Sequence, residues 1–172
     1  MKTIAMIPAR IDSVRLPGKL MMDLGGIPII LRTYKNALNT KLFEKVYVVT
    51  DSRVIYDLIN DNGGDVYMSS IQHTCGSDRI AEFAPKIDAD LIINIQGDEP
   101  FIDKISLEKL IKVFYDDNQE KIDLGSLMKS IKANEIKNPN NVKVVVDSEN
   151  FAIYFFSLSS STCVSAAICY FL

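Results

Sequence analysis

The sequence predicts an α/β fold, in which helices cover both faces of a mainly parallel, mixed sheet to give three layers. Short apolar runs rich in Val and Ile alternate with longer amphipathic segments, as right-handed β-α-β crossovers require. The length of 172 residues suits one domain with a substantial core. The hydrophobic content of 48% and the charged content of 24% are ordinary for a globular protein.

Four segments are predicted to be strands because β-branched residues dominate them: 2–7, 45–50, 65–68 and 90–95. Pro28 is expected to open the first helix, whose apolar face would carry Ile29, Ile30, Thr33, Ala37 and Leu38. Asp51 or Ser52 would cap the second helix, and the glycine pair 63–64 would end it.

Two further helices are predicted over residues 77–86 and 103–117. A hairpin follows, built from the apolar runs 142–147 and 151–156 on either side of the turn "SEN". We expect its strands to extend the sheet in the antiparallel sense.

Composition and charge narrow the possible functions. The net charge of −3 argues against nucleic-acid binding through a broad basic face. Cys75, Cys163 and Cys169 form no CxxC pair, which favours a reducing compartment and therefore the cytoplasm. The first apolar run is too short for the core of a signal peptide, and a buried strand explains it better. No membrane partner is expected.

A basic loop follows the first predicted strand. The stretch "IPARIDSVRLPGK", residues 7–19, carries Arg10, Arg15 and Lys19. In a parallel α/β sheet, ligands bind beyond the carboxyl ends of the strands, where this loop lies. The loop matches neither the Walker A nor the GxGxxG pattern, so the spacing indicates only an anion, with phosphate favoured. The alternative is a solvated turn whose cations pair with Asp12 or Asp23.

An acidic turn follows the fourth predicted strand. The stretch "QGDEP" places Asp98 and Glu99 at the same edge of the sheet as the basic loop. Mg²⁺ favours such hard oxygen ligands and completes its shell with water and substrate phosphates. Either carboxylate could instead cap the next turn, but the two loops together favour chemistry that uses phosphate and a metal.

A third loop precedes the helix predicted after the third strand. Ser77 is expected to cap that helix, and Gly76 to permit a tight turn. His73, the only histidine, is interpreted as a surface residue rather than a catalyst. Arg79 would either point back at the loop or pair with Glu82, and the sequence leaves both open.

Four motifs in order carry a resemblance to a known family: "IPARIDSVRLPGK", "HTCGSDRIAE", "NIQGDEPFI" and "NPNNVKVVVDSENFAIYF". From residue 3 to residue 155, the chain resembles the CMP-Kdo synthetases, or 3-deoxy-manno-octulosonate cytidylyltransferases. The resemblance implies a Rossmann-like nucleotide-diphospho-sugar transferase fold. It also implies CTP and Kdo as substrates, Mg²⁺ as cofactor, CMP-Kdo and pyrophosphate as products, and a place in lipopolysaccharide biosynthesis. The family is homodimeric.

By position, the resemblance assigns catalytic roles to Arg10, Lys19 and Asp98, with Asp98 as the magnesium ligand. The residues that it places at the nucleotide are Ala9, Arg10, Ser13, Arg15, Lys19, Gly76, Ser77, Arg79 and Gln96. Catalysis would then rest on electrostatic positioning, with little acid–base work.

The last residues depart from the family pattern. We expect residues 1–155 to form an incomplete nucleotide-binding domain and residues 156–172 an atypical tail, because no charged residue follows Glu149. A frame shift with a premature stop is the working hypothesis, and a membrane anchor over residues 151–172 is the alternative. Two other functions stay open: a non-catalytic CTP-binding remnant, and a cytidylyltransferase for sialate or an 8-amino Kdo analogue. A dimer is doubtful for the shortened chain.

Overall fold

The computed structural model describes residues 1–11, 16–132, 135–139 and 141–156. They belong to two compact units, Met1–Gly125 and Ser126–Ile168, the second described as far as Phe156. The predicted tail therefore lies, apart from its first residue, outside the described residues.

The first unit contains a sheet of four parallel strands. These are β1 (Thr3–Ala9), β2 (Lys45–Thr50), β3 (Asp65–Met68) and β4 (Leu91–Asn94), in the spatial order β3-β2-β1-β4. All seven residues of β1 are buried because β1 has a neighbour on each side and helices above and below. The predicted α/β fold with a mainly parallel sheet is confirmed.

Four helices connect and follow these strands: α1 (Ile29–Thr40), α2 (Arg53–Asp61), α3 (Gly76–Phe83) and α4 (Lys104–Asp116). On one face of the sheet, Ile80 and Phe83 of α3 join Ile4, Met6 and Val49 in a single apolar cluster. The alternate strand residues point to the other face, on which α1 and α2 pack.

Local sequence rules predict the start of α2 correctly, but they miss two details of α1. Ser52, one of the two predicted caps, accepts a hydrogen bond from the Ile55 amide and begins α2. Pro28 directly precedes α1 instead of forming its first residue. Leu38 is 45% exposed and does not belong to the buried face of α1. That face includes Leu31 and Tyr34 instead.

Cys75, and not Ser77, caps α3. Its Sγ accepts a hydrogen bond from the Asp78 amide at 3.4 Å. The prediction for Ser77 was wrong because the helix begins at Gly76, which puts Ser77 inside the first turn.

The second unit contains the predicted hairpin. Strands β5 (Lys143–Val146) and β6 (Ala152–Phe156) pair in the antiparallel sense. Among the described residues, they pair with each other and not with the parallel sheet, so the expected extension was wrong. Local alternation predicts strands but does not specify their partner. No helix in the described ranges has the length and apolarity needed to cross a membrane.

The loop between β3 and α3, residues 69–75, is tied to α3 by Glu82. One carboxylate oxygen accepts hydrogen bonds from the Ser70 amide at 2.8 Å and the Ser70 hydroxyl at 2.6 Å. The other carboxylate oxygen lies 2.7 Å from His73 Nε2. The Ser70 hydroxyl and amide, followed by His73, lower the pKa of Glu82 from 4.5 to about 2. The histidine is thus held within a network of the loop.

This network predicts a pH dependence of stability. Since the pKa of Glu82 is lower in the folded chain, its stabilisation is complete above pH 4.5 and is lost as the pH falls toward 2. We expect Glu82→Gln to remove this dependence, costing about 1–2 kcal/mol of unfolding free energy near neutral pH after discounting for solvent screening.

Urea unfolding between pH 3 and pH 7 measures this difference. The control is Glu108→Gln, which removes a carboxylate that forms a surface ion pair with Lys104. Parallel stability profiles for wild type and Glu82→Gln would show that the network does not stabilise the fold.

Candidate functional site

The candidate site lies beyond the carboxyl ends of β1 and β4. The chain runs outward from β1 to β2 and β3 and then returns to the other side of β1, so the strand order reverses between β1 and β4. The two strands pair from Thr3–Leu91 to Met6–Asn94, and the Ile95 amide bonds to the Met6 carbonyl. Ligands bind at such reversal points because the loops of the two strands part there.

Pro8 ends the ladder between β1 and β4. It lies two residues beyond Met6 and therefore faces the same neighbouring strand, but it has no amide hydrogen to donate. The acidic turn occupies the space beyond it. A Cβ on Gly97 would approach the Pro8 carbonyl oxygen to 3.2 Å, so only glycine fits there without movement.

The third loop also rests on Pro8. A Cβ on Gly76 would approach Cγ of the Pro8 ring to 3.0 Å. Gly76 therefore permits this close packing, and its φ is not positive, so it does not use the left-handed conformation open to glycine. The first turn of α3 and the acidic turn thus both contact one proline at the end of β1.

The predicted basic and acidic loops meet in a direct ion pair. Lys19 Nζ lies 2.6 Å from an Asp98 carboxylate oxygen. Lys19 begins a 3₁₀ turn, Lys19–Met21, that follows Gly18 in the left-handed conformation with φ of 71°. Both side chains are partly open to solvent, at 39% and 43% exposure, so the pair is accessible to a ligand.

Arg10 reaches from the end of β1 to the third loop. Its Nη1 donates a hydrogen bond to the Thr74 carbonyl at 3.2 Å. Ala9, the preceding residue, is buried as the last residue of β1. Ser13 and Arg15, the other predicted residues of the basic loop, lie outside the described residues.

Arg79 was predicted to point back at the loop or to pair with Glu82, and the structure shows neither. Its side chain is buried, and Nη2 donates to an Asp51 carboxylate oxygen at 2.7 Å. It therefore reaches the residue that follows β2, and no bond from it to Glu82 is found in the described ranges. Its Nε is buried without a hydrogen-bond partner among the described residues. A buried ion pair of this kind is costly to break by removing one member.

The remaining predicted residues lie at the edges of the site. Ser77 is in the first turn of α3 and is partly exposed. Gln96 donates through Nε2 to the Asn94 side-chain oxygen at 3.3 Å, which ties it to the end of β4.

The side chains at the site determine how it could hold a metal ion. Within the described ranges, no group of three or more His, Cys, Asp or Glu side chains is arranged to hold a metal ion. Asp98 is the exposed carboxylate of the site, whereas burial, with a smaller effect of the Asp98 charge, raises the pKa of Glu99. One accessible carboxylate suffices for Mg²⁺ when water and phosphate supply the other ligands.

A groove of about 260 Å³ lies at the opposite, amino-terminal ends of the strands. Its three lysines are matched by three carboxylates. Lys2 pairs with Glu44 and Asp88, Lys45 pairs with Asp65, and Lys86 donates to the Tyr67 hydroxyl. It therefore lacks the unbalanced positive charge that a phosphate site needs.

Several residues that build the site escaped the sequence analysis. Asp51 was considered only as a cap, and Glu82 only as a possible partner of Arg79. Thr33 was assigned to the apolar face of α1, and it bonds to the acidic turn. A hydroxyl on an otherwise apolar helix face was the available signal, because a buried polar group needs a partner.

Residues 4–160 match the family model described as "Cytidylyltransferase". The chain is 56% identical over 156 residues to the 3-deoxy-manno-octulosonate cytidylyltransferase of Flavobacterium johnsoniae, covering 90% of this chain and 64% of that protein. It is 55% identical over 155 residues to the enzyme of the same name from Christiangramia forsetii, covering 90% of this chain and 62% of that protein. The chain thus spans less than two thirds of the length of these curated relatives.

Two solved structures resemble the chain. A CMP:2-keto-3-deoxy-manno-octonic acid synthetase complexed with CTP superposes with a TM-score of 0.84 at 34% identity, covering all of this chain and 72% of that one. A cytidylyltransferase from Leptospira borgpetersenii superposes with a TM-score of 0.64 at 28% identity, covering 73% of this chain and 53% of that one. The predicted resemblance to the CMP-Kdo synthetases is confirmed, and the chain belongs to the cytidylyltransferase family.

Proposed function

We propose that the chain binds CTP and Mg²⁺ at the Lys19–Asp98 site and serves as the nucleotide-binding part of a 3-deoxy-manno-octulosonate cytidylyltransferase. The observation that carries the proposal is the contact between these two side chains at the reversal point of the sheet. A cation for phosphate and a carboxylate for metal lie next to each other there. The acceptor sugar would be Kdo, activated for lipopolysaccharide biosynthesis in the cytoplasm by a homodimer, as the family implies.

The Lys19–Asp98 pair is suited to an exchange of partners. In the free protein each charge neutralises the other at 2.6 Å. Lys19 would hold a phosphate oxygen of CTP and Asp98 would hold Mg²⁺, so each side chain would keep a counter-charge in place of the other. Because both charges are already partly solvent-exposed, the exchange requires little further desolvation.

In the proposed reaction, the anomeric hydroxyl of the sugar attacks the α-phosphate, and the bond to pyrophosphate breaks. The products are CMP-Kdo and pyrophosphate. Arg10 and Lys19 would hold the triphosphate, together with Ser13 and Arg15 of the same loop. The residues contribute electrostatic positioning, which is the main requirement of phosphoryl-group chemistry.

Asp98 would hold Mg²⁺ as its one protein carboxylate. When bound, the metal neutralises charge on the triphosphate and on the leaving pyrophosphate. Glu99 is less accessible to a metal than Asp98 because it is partly buried, and this burial raises its pKa. Gln96, Ala9 and the backbone of Gly76 and Ser77 would border the nucleotide, and Arg79 would support that loop from beneath through Asp51.

The proposal is tested by calorimetric titration of the chain with CTP, with Mg²⁺ and with EDTA. CTP is expected to bind more tightly with Mg²⁺, and UTP and ATP to bind more weakly than CTP. Pyrophosphate release with Kdo or with sialate then identifies the acceptor. Absence of CTP binding under both conditions would overturn the proposal.

Replacing the proposed metal ligand makes a sharper prediction. Asp98→Asn is expected to abolish most of the effect of Mg²⁺ on CTP affinity, while leaving the affinity in EDTA equal or higher because Lys19 is released. The matched control is Asp116→Asn, which breaks a Lys–Asp pair of the same 2.6 Å length with Lys112 on α4. A Mg²⁺ effect that survives Asp98→Asn would rule out Asp98 as the ligand.

Replacing Lys19, the cation of the pair, is expected to affect CTP binding with and without Mg²⁺. Lys19→Met is expected to weaken CTP binding about tenfold or more both with Mg²⁺ and in EDTA, since a charge-assisted phosphate contact contributes about 1.5–3 kcal/mol. Lys112→Met is its control on the surface of α4. Titration calorimetry at fixed ionic strength measures the change, and unaltered affinity in both conditions would contradict it.

A further inference from the structure

We propose that Thr33 and Asn36 of α1 are positioning residues. They would hold the acidic turn and the two residues after it, residues 96–102 together, so that Asp98 is presented to the metal. The inference rests on the proposed function. Neither side chain would touch substrate. Each would act through a backbone carbonyl of the turn.

The first contact is made by Thr33. Its hydroxyl lies 2.9 Å from the Gly97 carbonyl oxygen and 3.1 Å from the Ile29 carbonyl oxygen. A hydroxyl has one hydrogen, and the Ile29 carbonyl can also accept the backbone N–H one helical turn later. No other donor to the Gly97 carbonyl is found in the described part of the chain. The hydroxyl hydrogen of Thr33 is therefore needed for the bond to the Gly97 carbonyl oxygen. Thr33 is fully buried.

This bond controls the residue that follows. The Gly97 carbonyl and the Asp98 amide belong to one planar peptide unit, so a fixed carbonyl direction fixes the plane from which the Asp98 Cα projects. Asp98 itself is exposed, with Lys19 as its partner. Its backbone orientation thus depends on the buried contact one residue earlier.

The second contact closes the other end of the turn. Asn36 Nδ2 donates to the Ile102 carbonyl at 3.0 Å. Thr33 and Asn36 are three residues apart and lie on the same stripe of α1. Ile30, three residues before Thr33, lies 3.2 Å from where a Cβ on Gly97 would be. One stripe of the helix therefore supports the turn along its length.

The turn has little internal support of its own. In the described part of the chain, it contains one backbone hydrogen bond, from the Glu99 amide to the Gln96 carbonyl at 3.0 Å. Phe101 is 78% exposed and contributes little burial. Loss of the α1 contacts is therefore expected to loosen this turn before it affects the sheet.

The test compares three threonine variants of the full chain. Thr33→Val removes the hydroxyl at nearly constant volume, and Thr33→Ser restores it. Thr40→Val is the matched control, because Thr40 is buried in the same helix but donates to the Ala37 carbonyl. Asn36→Ala tests the second contact. Two quantities are measured: hydrogen exchange of residues 95–103, and the Mg²⁺ concentration that half-saturates the enhancement of CTP binding.

Thr33→Val is expected to accelerate exchange in the turn and to raise the half-saturating Mg²⁺ concentration about tenfold, as is typical when a supporting contact of a metal ligand is lost. Binding of CTP in EDTA should not change, Asn36→Ala should act in the same direction, and Thr33→Ser should restore wild-type values. Unchanged Mg²⁺ dependence in Thr33→Val, or an equal shift in Thr40→Val, overturns the inference alone. A wild-type chain that binds no CTP overturns the proposed function, and the inference with it.

Discussion

The site depends on the pairing of β4 with the free side of β1. That pairing reverses the strand order and brings the loop after β4 next to the loop after β1. It lasts for four residue pairs, and Pro8, with no amide hydrogen, lies where it stops. Beyond this point Gly76 and Gly97 both approach the same proline. Three loops can converge there because Pro8 has no amide hydrogen and Gly76 and Gly97 have no Cβ atom.

Most of the fold could be predicted from the sequence because its signals are local. The Val- and Ile-rich runs and the helical periodicity predict elements whose type the structure confirms. The proximity of Lys19 and Asp98 followed from a topological rule, since the carboxyl ends of parallel strands share one edge. Partners set by tertiary packing could not be predicted. Arg79 pairs with Asp51 on another loop, and Thr33 bonds to the carbonyl of Gly97 in the acidic turn.

The cations near the site differ in burial, and this difference separates the roles that are proposed for them. Lys19 is partly exposed, so exchanging Asp98 for a ligand would cost little. Arg79 is 1% exposed and is held by Asp51, so releasing it would leave a buried charge unpaired. Residue type and position in a motif do not distinguish these cases. Two cations that the motifs place at the same nucleotide therefore differ physically, since Lys19 is accessible to a ligand and Arg79 is buried against Asp51.

Two loops beside the candidate site are supported in the same way on opposite faces of the sheet. Glu82 of α3 collects donors from the loop after β3, and Thr33 of α1 donates to the turn after β4. In each case a helix side chain satisfies backbone groups of a loop that makes few hydrogen bonds of its own. A loop that carries a ligand must leave its outer face free, so its order has to come from beneath. The polar residues on the inner faces of α1 and α3 are therefore part of the site, although they need not touch what it binds.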